Sequence, residues 1–300
     1  MKKLTASIQV LLGAASFGIL STIVKLSYSH GFSTADITGS QILFGCLCLW
    51  LLSSRSFKEL RSLSARRIGT LLLCGIFTGT TGIFYYLALQ SVSASLGVVL
   101  LFQFVWMGFL LDWILYRHRP TRNQWIAIVV VLLGTVLAAG NEALSTRHLS
   151  LPGIILGLLA AASYTANLTV NGRIEPTVSP ILRSTLLITG GTIITLLVFP
   201  PQFISNGSLS HELWLYTIPL ALFGIIIPPY LYARGIPTVG PAMASILGSI
   251  ELPIVITSSA LILREPIAYS QWFGVLLIIL GIFISEQRII LHKNFKIRKA

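Results

Sequence analysis

Long apolar stretches, separated by short polar segments, follow one another along the whole chain. A helix needs about 20 predominantly apolar residues to cross the hydrocarbon core of a bilayer. By this measure the pattern predicts ten membrane-spanning helices and an all-α integral membrane protein. The predicted spans are residues 5–26, 36–54, 67–89, 91–115, 122–140, 151–172, 180–199, 211–233, 238–263 and 269–289.

The amino-acid composition favours a membrane protein over a soluble one. Charged residues make up 10% of the chain and hydrophobic residues 54%, whereas a soluble domain carries about 25% charged residues. The net charge of +12 would suit a nucleic-acid-binding protein, but such a protein gathers its basic residues on one soluble face. Here they lie between apolar stretches, so we expect a lipid bilayer and no nucleic acid as partner.

The distribution of lysine and arginine predicts the orientation of the spans, because cytoplasmic loops are enriched in both residues. With the N-terminus in the cytoplasm and ten alternating spans, 18 of the 21 basic residues fall on the cytoplasmic side, Arg183 among them. Lys25, Arg147 and Arg264 fall outside. We therefore expect a multi-pass protein of the cell membrane with both termini in the cytoplasm, ending in a basic cytoplasmic tail at residues 291–300.

The sequence contains an internal duplication. Residues 12–17 (LGAASF) return as residues 159–164 (LAAASY), and Gln124-Trp125 returns as Gln271-Trp272, both 147 residues later. Tyr85 and Ala88 return as Tyr230 and Ala233, 145 residues later. One predicted repeat covers residues 1–145 and the other residues 146–290, with five helices each. Because five is odd, the second repeat enters the membrane from the opposite side. Inverted repeats are the basis of alternating access in many secondary transporters.

Three further motifs accompany the duplication: residues 85–89 (YYLAL) end the third span, Glu251-Leu252-Pro253 lies within the ninth, and Glu265-Pro266 follows it. Together with the repeated motifs, they make the chain resemble the EamA-type members of the drug/metabolite transporter superfamily over nearly its whole length. The resemblance implies a basket-like fold of two five-helix EamA repeats, a central cavity, and export of small metabolites or drugs. It also implies an acidic residue after the fourth helix of each repeat. Glu265 matches this residue, whereas the first repeat has Arg119.

Glu251 is the candidate residue that the sequence marks most clearly, because it lies midway along the ninth predicted span. A charged residue at that depth costs about 2.5–3.5 kcal/mol on insertion scales, so it should face the interior of the bundle or water. Pro253 cannot donate to the carbonyl of Ser249, which would leave an acceptor beside Glu251. Glu251 is either a proton or substrate partner or a structural residue, and its counterpart in the first repeat is Trp106.

Polar and proline residues in two other spans have both a functional and a structural interpretation. Asn167 lies on a stripe of polar residues in the sixth span, where it would bind solute or join two helices. Pro228 and Pro229 break or kink the eighth span. The break would free the carbonyls of Gly224 and Ile225 for a ligand, whereas a kink would only serve packing.

Aromatic residues supply a second set of candidates. Gln103 shares a helix face with Trp106 and should point inward because its amide is costly in lipid. An aromatic cavity wall is one interpretation of the tyrosines and the tryptophan, and ordinary core packing is the other. The aromatic candidates are Tyr85, Trp106, Tyr164 and Tyr230.

These features predict a secondary active transporter, exporting small metabolites (amino-acid-like or other organic solutes) or drugs by alternating access. A membrane-embedded lipid-modifying enzyme and a non-transporting structural or sensor protein are the alternatives. The sequence has no phosphate-binding Gly-xxxx-Gly-Lys-Ser/Thr loop and no hydrolase or metalloprotease motif, so we expect no enzyme activity, no cofactor and no metal site. A small-molecule solute is the expected partner; protons as coupling ions, the direction of transport and the oligomeric state are left open.

Overall fold

The computed structural model describes residues 2–89, 91–92, 94–140, 150–208, 212–264 and 268–297. Within these ranges all regular structure is helical and no strand occurs. The prediction of an all-α fold is confirmed. The helices of the first half are α1 (Lys2–Ser29), α2 (Thr34–Leu52), α3 (Phe57–Ser62), α4 (Ala65–Leu89), α5 (Ala94–Leu101), α6 (Phe104–Tyr116) and α7 (Arg122–Ala139), with a 3₁₀ turn at Ser53–Ser56.

The second half repeats this order, with irregular turns inserted. Its helices are α8 (Leu151–Arg173), α9 (Pro180–Val198), α10 (Trp214–Leu220), α11 (Ile227–Val239), α12 (Pro241–Gly248), α13 (Glu251–Ser258) and α14 (Tyr269–Ile297). A 3₁₀ turn covers Gln202–Ile204, and π-helical turns cover Ala221–Ile226 and Ser259–Leu263. Residues 291–297 of the predicted tail continue α14.

The protein is a multi-pass membrane protein. Nine helical segments in the described part of the chain are long and apolar enough to cross a bilayer, and Tyr269–Ser285 forms a shorter apolar helix. The count of ten stays a prediction. α1, α4, α7, α9 and α12–α13 start on one face of the bundle, and α2, α5–α6, α8, α10–α11 and α14 start on the other. We call the face at which α1 begins the N-terminal face and the other the opposite face.

The fourth and ninth predicted spans are each broken near the middle, where the sequence predicted continuous helices. α5 ends at Leu101 and α6 begins at Phe104, whereas α12 ends at Gly248 and α13 begins at Glu251. The two breaks lie 147 residues apart, as do the LGAASF and Gln-Trp motifs of the two halves, so the residue equivalent to Glu251 is Phe104 and not Trp106 as the sequence suggested. At each break the backbone tightens to 3₁₀ bonds, from Gln103 to Leu100 at 3.2 Å and from Ser249 to Ile246 at 3.1 Å.

α7 and α14 pack against each other through equivalent residues of the two repeats. A Cβ at Gly134 would lie 2.9 Å from the side chain of Ile278, and a Cβ at Gly281 would lie 2.6 Å from that of Val131. Val131 and Ile278 are themselves repeat mates, so the contact is reciprocal and the two helices run antiparallel. Glycine is required at both positions because any larger residue would push the helices apart.

The Gln-Trp motif of each repeat starts one of these two helices. Gln124 accepts from the backbone N–H of Thr121 at 2.8 Å, and Gln271 accepts from that of Ala268 at 3.0 Å. Both glutamines therefore hold the free N–H at the beginning of a helix, as in a capping box. This requirement explains why the motif recurs without any role in a ligand site.

We expect Gly281→Ala to lower the free energy of unfolding by about 1–3 kcal/mol, since its methyl group overpacks the contact with Val131. Gly69→Ala is the matched control, because a Cβ at Gly69 in α4 meets no atom within 4 Å and alanine favours a helix by about 0.5–1 kcal/mol. Thermal unfolding of both variants in detergent measures the difference. Equal melting temperatures would contradict the close contact between α7 and α14.

Candidate functional site

A cavity of about 190 Å³ lies at the centre of the bundle, between the two repeats. At ~30 Å³ for each water molecule, it has room for about six waters or a small solute. α1, α2, α4, α5, α8, α9, α11, α13 and the π turn before α11 all contribute to its wall. The residues of the wall are Phe17, Leu20, Thr38, Gln41, Ile42, Thr78, Gly79, Thr81, Gly82, Tyr86, Leu101, Tyr164, Asn167, Asn171, Leu187, Ile188, Thr195, Gly224, Ile225, Pro229, Tyr232 and Glu251.

Glu251 lies on the cavity wall, at the first position of α13 and directly after the break that follows α12. Its carboxyl group has no hydrogen-bond or ion-pair partner within the described residues. It interacts electrostatically with the phenol groups of Tyr85, Tyr164 and Tyr232. The carboxyl group therefore faces the interior of the bundle, and its function stays a hypothesis.

Ser249 and Pro253 do not leave a free acceptor beside Glu251, which corrects the sequence-based expectation. The backbone N–H of Leu252 donates to the Ser249 carbonyl at 3.3 Å, because the tightened break brings a donor three residues away into range. The Ser249 hydroxyl donates to the carbonyl of Ile246, and the side chain is fully buried behind the cavity wall. Both residues shape the break in front of Glu251 without lining the cavity.

The aromatic part of the wall differs from the predicted set, since only Tyr164 of the four candidates lines the cavity. Tyr86 and Tyr232 line it instead of their near neighbours Tyr85 and Tyr230. The hydroxyl groups of Tyr164 and Tyr232 hydrogen-bond to each other at 3.1 Å, which joins α8 to α11 in the middle of the bundle. Pairs of tyrosines one or two residues apart point to different faces of a helix, so only the tertiary packing selects one of each pair.

Gln103 and Trp106 serve the break between α5 and α6 and do not line the cavity. The backbone N–H of Gln103 bonds to Leu100, so the carbonyl of Val99 loses its usual donor. The side-chain amide of Gln103 donates to that carbonyl at 2.9 Å and accepts from the Trp106 indole N–H at 2.8 Å. The Gln103 side chain thus repairs the broken helix.

Tyr230 lies on α11 away from the cavity wall. Its hydroxyl accepts from Nη1 of Arg234 at 3.1 Å, and the guanidinium carbon of Arg234 lies 5.6 Å from the centre of its ring. Arg234 is exposed on the surface of α11, five residues before the helix ends. The contact therefore turns Tyr230 towards the outside of the bundle.

Asn167 both lines the cavity and joins two helices, so its two interpretations are compatible. Its Oδ1 accepts from the Thr78 hydroxyl of α4 at 3.1 Å and from Nδ2 of Asn171 at 3.1 Å. Nδ2 of Asn171 also donates to the Asn167 carbonyl at 3.0 Å. The Oδ1 of Asn171 is buried on the wall and has no partner among the described residues.

Pro228 and Pro229 follow a π-helical turn, and this turn changes which carbonyls they free. The backbone N–H of Ile227 bonds to Leu222, five residues back, so the missing donor of Pro228 frees the carbonyl of Phe223. The hydroxyl of Ser16 in α1 donates to that carbonyl at 2.7 Å. The carbonyls without a backbone donor are therefore those of Phe223 and Gly224, one residue earlier than the expected carbonyls of Gly224 and Ile225.

Gly224 keeps a carbonyl that no backbone N–H can reach in either helical register. In the π register its donor would be Pro229, and in the α register it would be Pro228; neither has an N–H. Gly224 lies on the cavity wall together with Pro229, whereas Pro228 is buried behind it. The break thus leaves a backbone acceptor beside the cavity.

Equivalent helix pairs are packed on one face of the bundle and separated on the other. At the N-terminal face α8 packs against α11 and α12, and α9 packs against α11. In the first repeat the helices equivalent to α8, α9, α11 and α12 are α1, α2, α4 and α5. The equivalent pairs, α1 with α4, α1 with α5, and α2 with α4, make at most marginal contact in the described chain. On the closed side a Cβ at Gly172 would lie 2.8 Å from Pro241 and 2.9 Å from Ile236.

Buried residues line the cavity towards both faces. Tyr164, Asn167, Asn171 and Tyr232 are buried towards the N-terminal face, and Thr38 and Thr195 are buried towards the opposite face, whereas the wall of α4 there is partly exposed. We call the N-terminal face the closed face because α8 and α9 pack against α11 there.

Ion pairs join the loops and helix ends at the closed face. Arg67 of α4 pairs with Glu175 in the loop after α8, and Asp112 of α6 accepts from Arg173 and lies within hydrogen-bond distance of Nδ1 of His118, both at 3.2 Å. Exposed pairs of this kind are screened by solvent and stabilise only weakly. These contacts therefore add little to the packing of the helices at this face.

The profile of the EamA-like transporter family matches residues 4–140 and again residues 151–286. The chain belongs to the EamA-like transporter family. The two matches are tandem and correspond to the two halves of the bundle. Glu265, the acidic residue that the resemblance assigned to the loop after the ninth span, lies outside the described residues.

Two relatives of this EamA-like protein carry transporter names. The uncharacterized transporter sll1319 of Synechocystis sp. (strain ATCC 27184 / PCC 6803 / Kazusa) is 22% identical, over 91% of this chain and 90% of its own length. The uncharacterized transporter YwfM of Bacillus subtilis (strain 168) is 25% identical over 58% of each chain. A solved structure titled "Crystal structure of protein" has a TM-score of 0.71 at 15% identity, covering 92% of this chain and 96% of that one. This likeness shows the same fold.

Arg183 differs from the sequence-based expectation for the EamA-like chain, which counted it among the charges of the cytoplasmic side, because its side chain is buried. It lies in α9 with 1% of its surface exposed, and its Nη2 donates to the carbonyl of Ala233 in α11. Pro237, four residues after Ala233, lies inside α11 and lacks the N–H that would bond to this carbonyl. Arg183 therefore satisfies a proline-freed carbonyl and links α9 to α11 at the closed face. The sequence signal was Pro237, but the predicted span ended at residue 233.

We expect Arg183→Met to lower the free energy of unfolding by about 1.5–3 kcal/mol, because it leaves the Ala233 carbonyl without a donor. Pro237→Ala restores a backbone N–H to the same carbonyl, so Arg183→Met should cost less in a Pro237→Ala background. A double-mutant cycle of unfolding free energies in detergent measures this coupling. Strictly additive effects would contradict the shared role of Arg183 and Pro237.

Proposed function

We propose that this EamA-like protein is a secondary active transporter that exports small organic solutes across the cell membrane by alternating access. The supporting observation is the asymmetry between equivalent helix pairs around one central cavity. Two copies of the same five-helix unit meet at this cavity. We call the contacts of α8 and α9 with α11 the inner gate, which is packed, and the equivalent positions of α1, α2 and α4 the outer gate, which is separated. Transporters built from inverted repeats alternate by exchanging such arrangements between their halves.

The reciprocal packing of α7 and α14 supports an inverted arrangement of the repeats, since equivalent helices run antiparallel. In the proposed orientation the termini are cytoplasmic, so the N-terminal face is the cytoplasmic one, and the helices that stand apart, α1 and α2 from α4, lie on the outer side. Separation of α8 and α9 from α11 would open the cytoplasmic side. Closure of α1 and α2 onto α4 would seal the outer side.

Glu251 is the proposed coupling residue in this cycle. It is the only acidic residue on the cavity wall within the described chain, and it adjoins a helix break that lies next to α1. Discontinuous helices at the middle of the membrane carry substrate and ion sites in many transporters. A carboxyl group that both gates expose in turn can exchange a proton or a solute between the two sides.

Single cysteines on the cavity wall test alternating access without knowledge of the solute. In a background without Cys46, Cys48 and Cys74, we expect Thr81→Cys to react with a membrane-impermeant thiol reagent from the opposite face of oriented vesicles. Leu187→Cys, which is buried on the wall towards the N-terminal face, should become reactive from that face once α8 and α9 separate from α11. Conditions that speed one reaction should slow the other. Reaction of both from the same side under every condition would contradict the proposal.

Changing Glu251 to glutamine should remove the pH dependence of the ratio between these two labelling rates over about pH 5 to 8. The ratio is the quantity to compare, because each rate also rises with pH as the thiol ionises. The phenols near Glu251 are Tyr85, Tyr164 and Tyr232, which ordinarily titrate near pH 10, so they do not contribute in this range. Glu212→Gln is the matched control, because Glu212 is an exposed acid away from the cavity. A pH profile that Glu251→Gln leaves unchanged would exclude Glu251 as the coupling residue.

A further inference from the structure

We propose that the transported solute is a small organic cation with an ammonium group that pairs with Glu251. This proposal rests on the proposed transport function and specifies the class of its substrate. It comes from the charge, the hydrogen-bonding polarity and the aromatic character of the cavity wall. Each of these is set by different residues.

The charge of the cavity wall is one-sided. Glu251 supplies a carboxyl group without an ion-pair partner in the described chain, and no lysine, arginine or histidine lines the cavity there. A cation pairs with the carboxylate, whereas an anion would enter a low-dielectric cavity against a like charge and with no counter-charge. The charge therefore favours a cationic solute.

The unsatisfied polar groups around the cavity are acceptors, apart from the Thr38 hydroxyl, which both donates and accepts. Asn171 has 3% of its surface exposed, and its Nδ2 is committed to Asn167, which leaves Oδ1 without a donor. Gly224 has a carbonyl that no backbone N–H can reach, because Pro228 and Pro229 occupy the donor positions. Gln41 adds a buried Oε1 without a partner, on an amide that can rotate. An ammonium group has donors and no acceptors, so it complements this set.

Aromatic rings complete the wall around Glu251. Tyr86, Tyr164, Tyr232 and Phe17 all line the cavity. The faces of such rings attract a cation by about 0.5–2 kcal/mol, more strongly where the site is dry. The rings also offer apolar surface to the organic part of a small amine.

Arg183 does not reverse this preference in the present conformation. It is absent from the cavity wall; its Nη2 donates to the Ala233 carbonyl between α9 and α11, while its Nε and Nη1 are buried without a partner among the described residues. A zwitterion would need a cationic partner for its carboxylate, and the described wall offers only neutral donors such as the threonine hydroxyls. The wall therefore fits an amine better than an amino acid.

Two size-matched series of probes test the substrate class on the purified full-length protein in detergent at pH 7. The first series is benzylamine, benzyl alcohol and benzoate, and the second is butylamine, butanol and butyrate. We expect at least one amine to raise the melting temperature in a saturable way and to bind in calorimetry, while its alcohol and carboxylate partners do not. Equal effects of the three members of a series, or no effect of either amine, would overturn the proposal.

Variants then assign the binding to the cavity wall. Glu251→Gln should weaken amine binding at least tenfold, whereas the exposed control Glu212→Gln should leave it unchanged. Asn171→Leu, which removes one acceptor, should weaken amine binding severalfold. This second variant keeps the test informative if Glu251→Gln fails to fold. Amine affinity that neither cavity substitution lowers would place the site elsewhere and reject the proposal.

The outcome is separable from that of the proposed function. If the cysteine labelling shows alternating access while only a carboxylate binds, the substrate class is wrong and the transport function stands. If the labelling shows no alternation, the transport function itself fails, whatever the amines do.

Discussion

Inside a membrane every backbone polar group must find a partner within the protein, because the lipid offers none. This constraint organises the whole structure, since the bundle contains several places where a helix loses its regular bonds. Three side chains repair them: Gln103 bonds to Val99, Ser16 bonds to Phe223 across two helices, and Arg183 bonds to Ala233. Two of these repairs also fix how helices of different repeats, or of one gate, sit against each other.

Several groups left without such a partner lie at the cavity. Asn171 Oδ1 has no partner among the described residues, and Glu251 carries a carboxyl group without one; Gly224 lies beside them with prolines at both of its backbone donor positions. Others lie away from the wall: Nε and Nη1 of Arg183 and the hydroxyls of Ser179 and Ser184. Unsatisfied groups are costly in a low-dielectric interior, so those on the wall fit a site that a solute or proton completes. Packed structure surrounds this site on the N-terminal side, while the equivalent helices on the opposite side stand apart.

Much of the fold follows from the sequence, because apolar length and a duplication of whole helices are long-range signals. The interior position of Glu251 follows as well, since a carboxyl group has few alternatives at that depth. The sequence does not predict which face of a helix lines the cavity, as shown by Tyr86 and Tyr232, which line it in place of Tyr85 and Tyr230. It also does not predict the π turn before Pro228 or the buried position of Arg183, because the partner of each freed carbonyl comes from a helix distant in sequence.

The central claim is that the two gates exchange roles, and paired spin labels measure this most directly. Thr177 and Thr238 are exposed at the N-terminal face, and Ser29 and Ser91 lie at the opposite face. The account predicts that a change in pH or an added amine lengthens the distance between labels on the first pair and shortens it between labels on the second. Distances that stay constant, or that lengthen and shorten together, would contradict it.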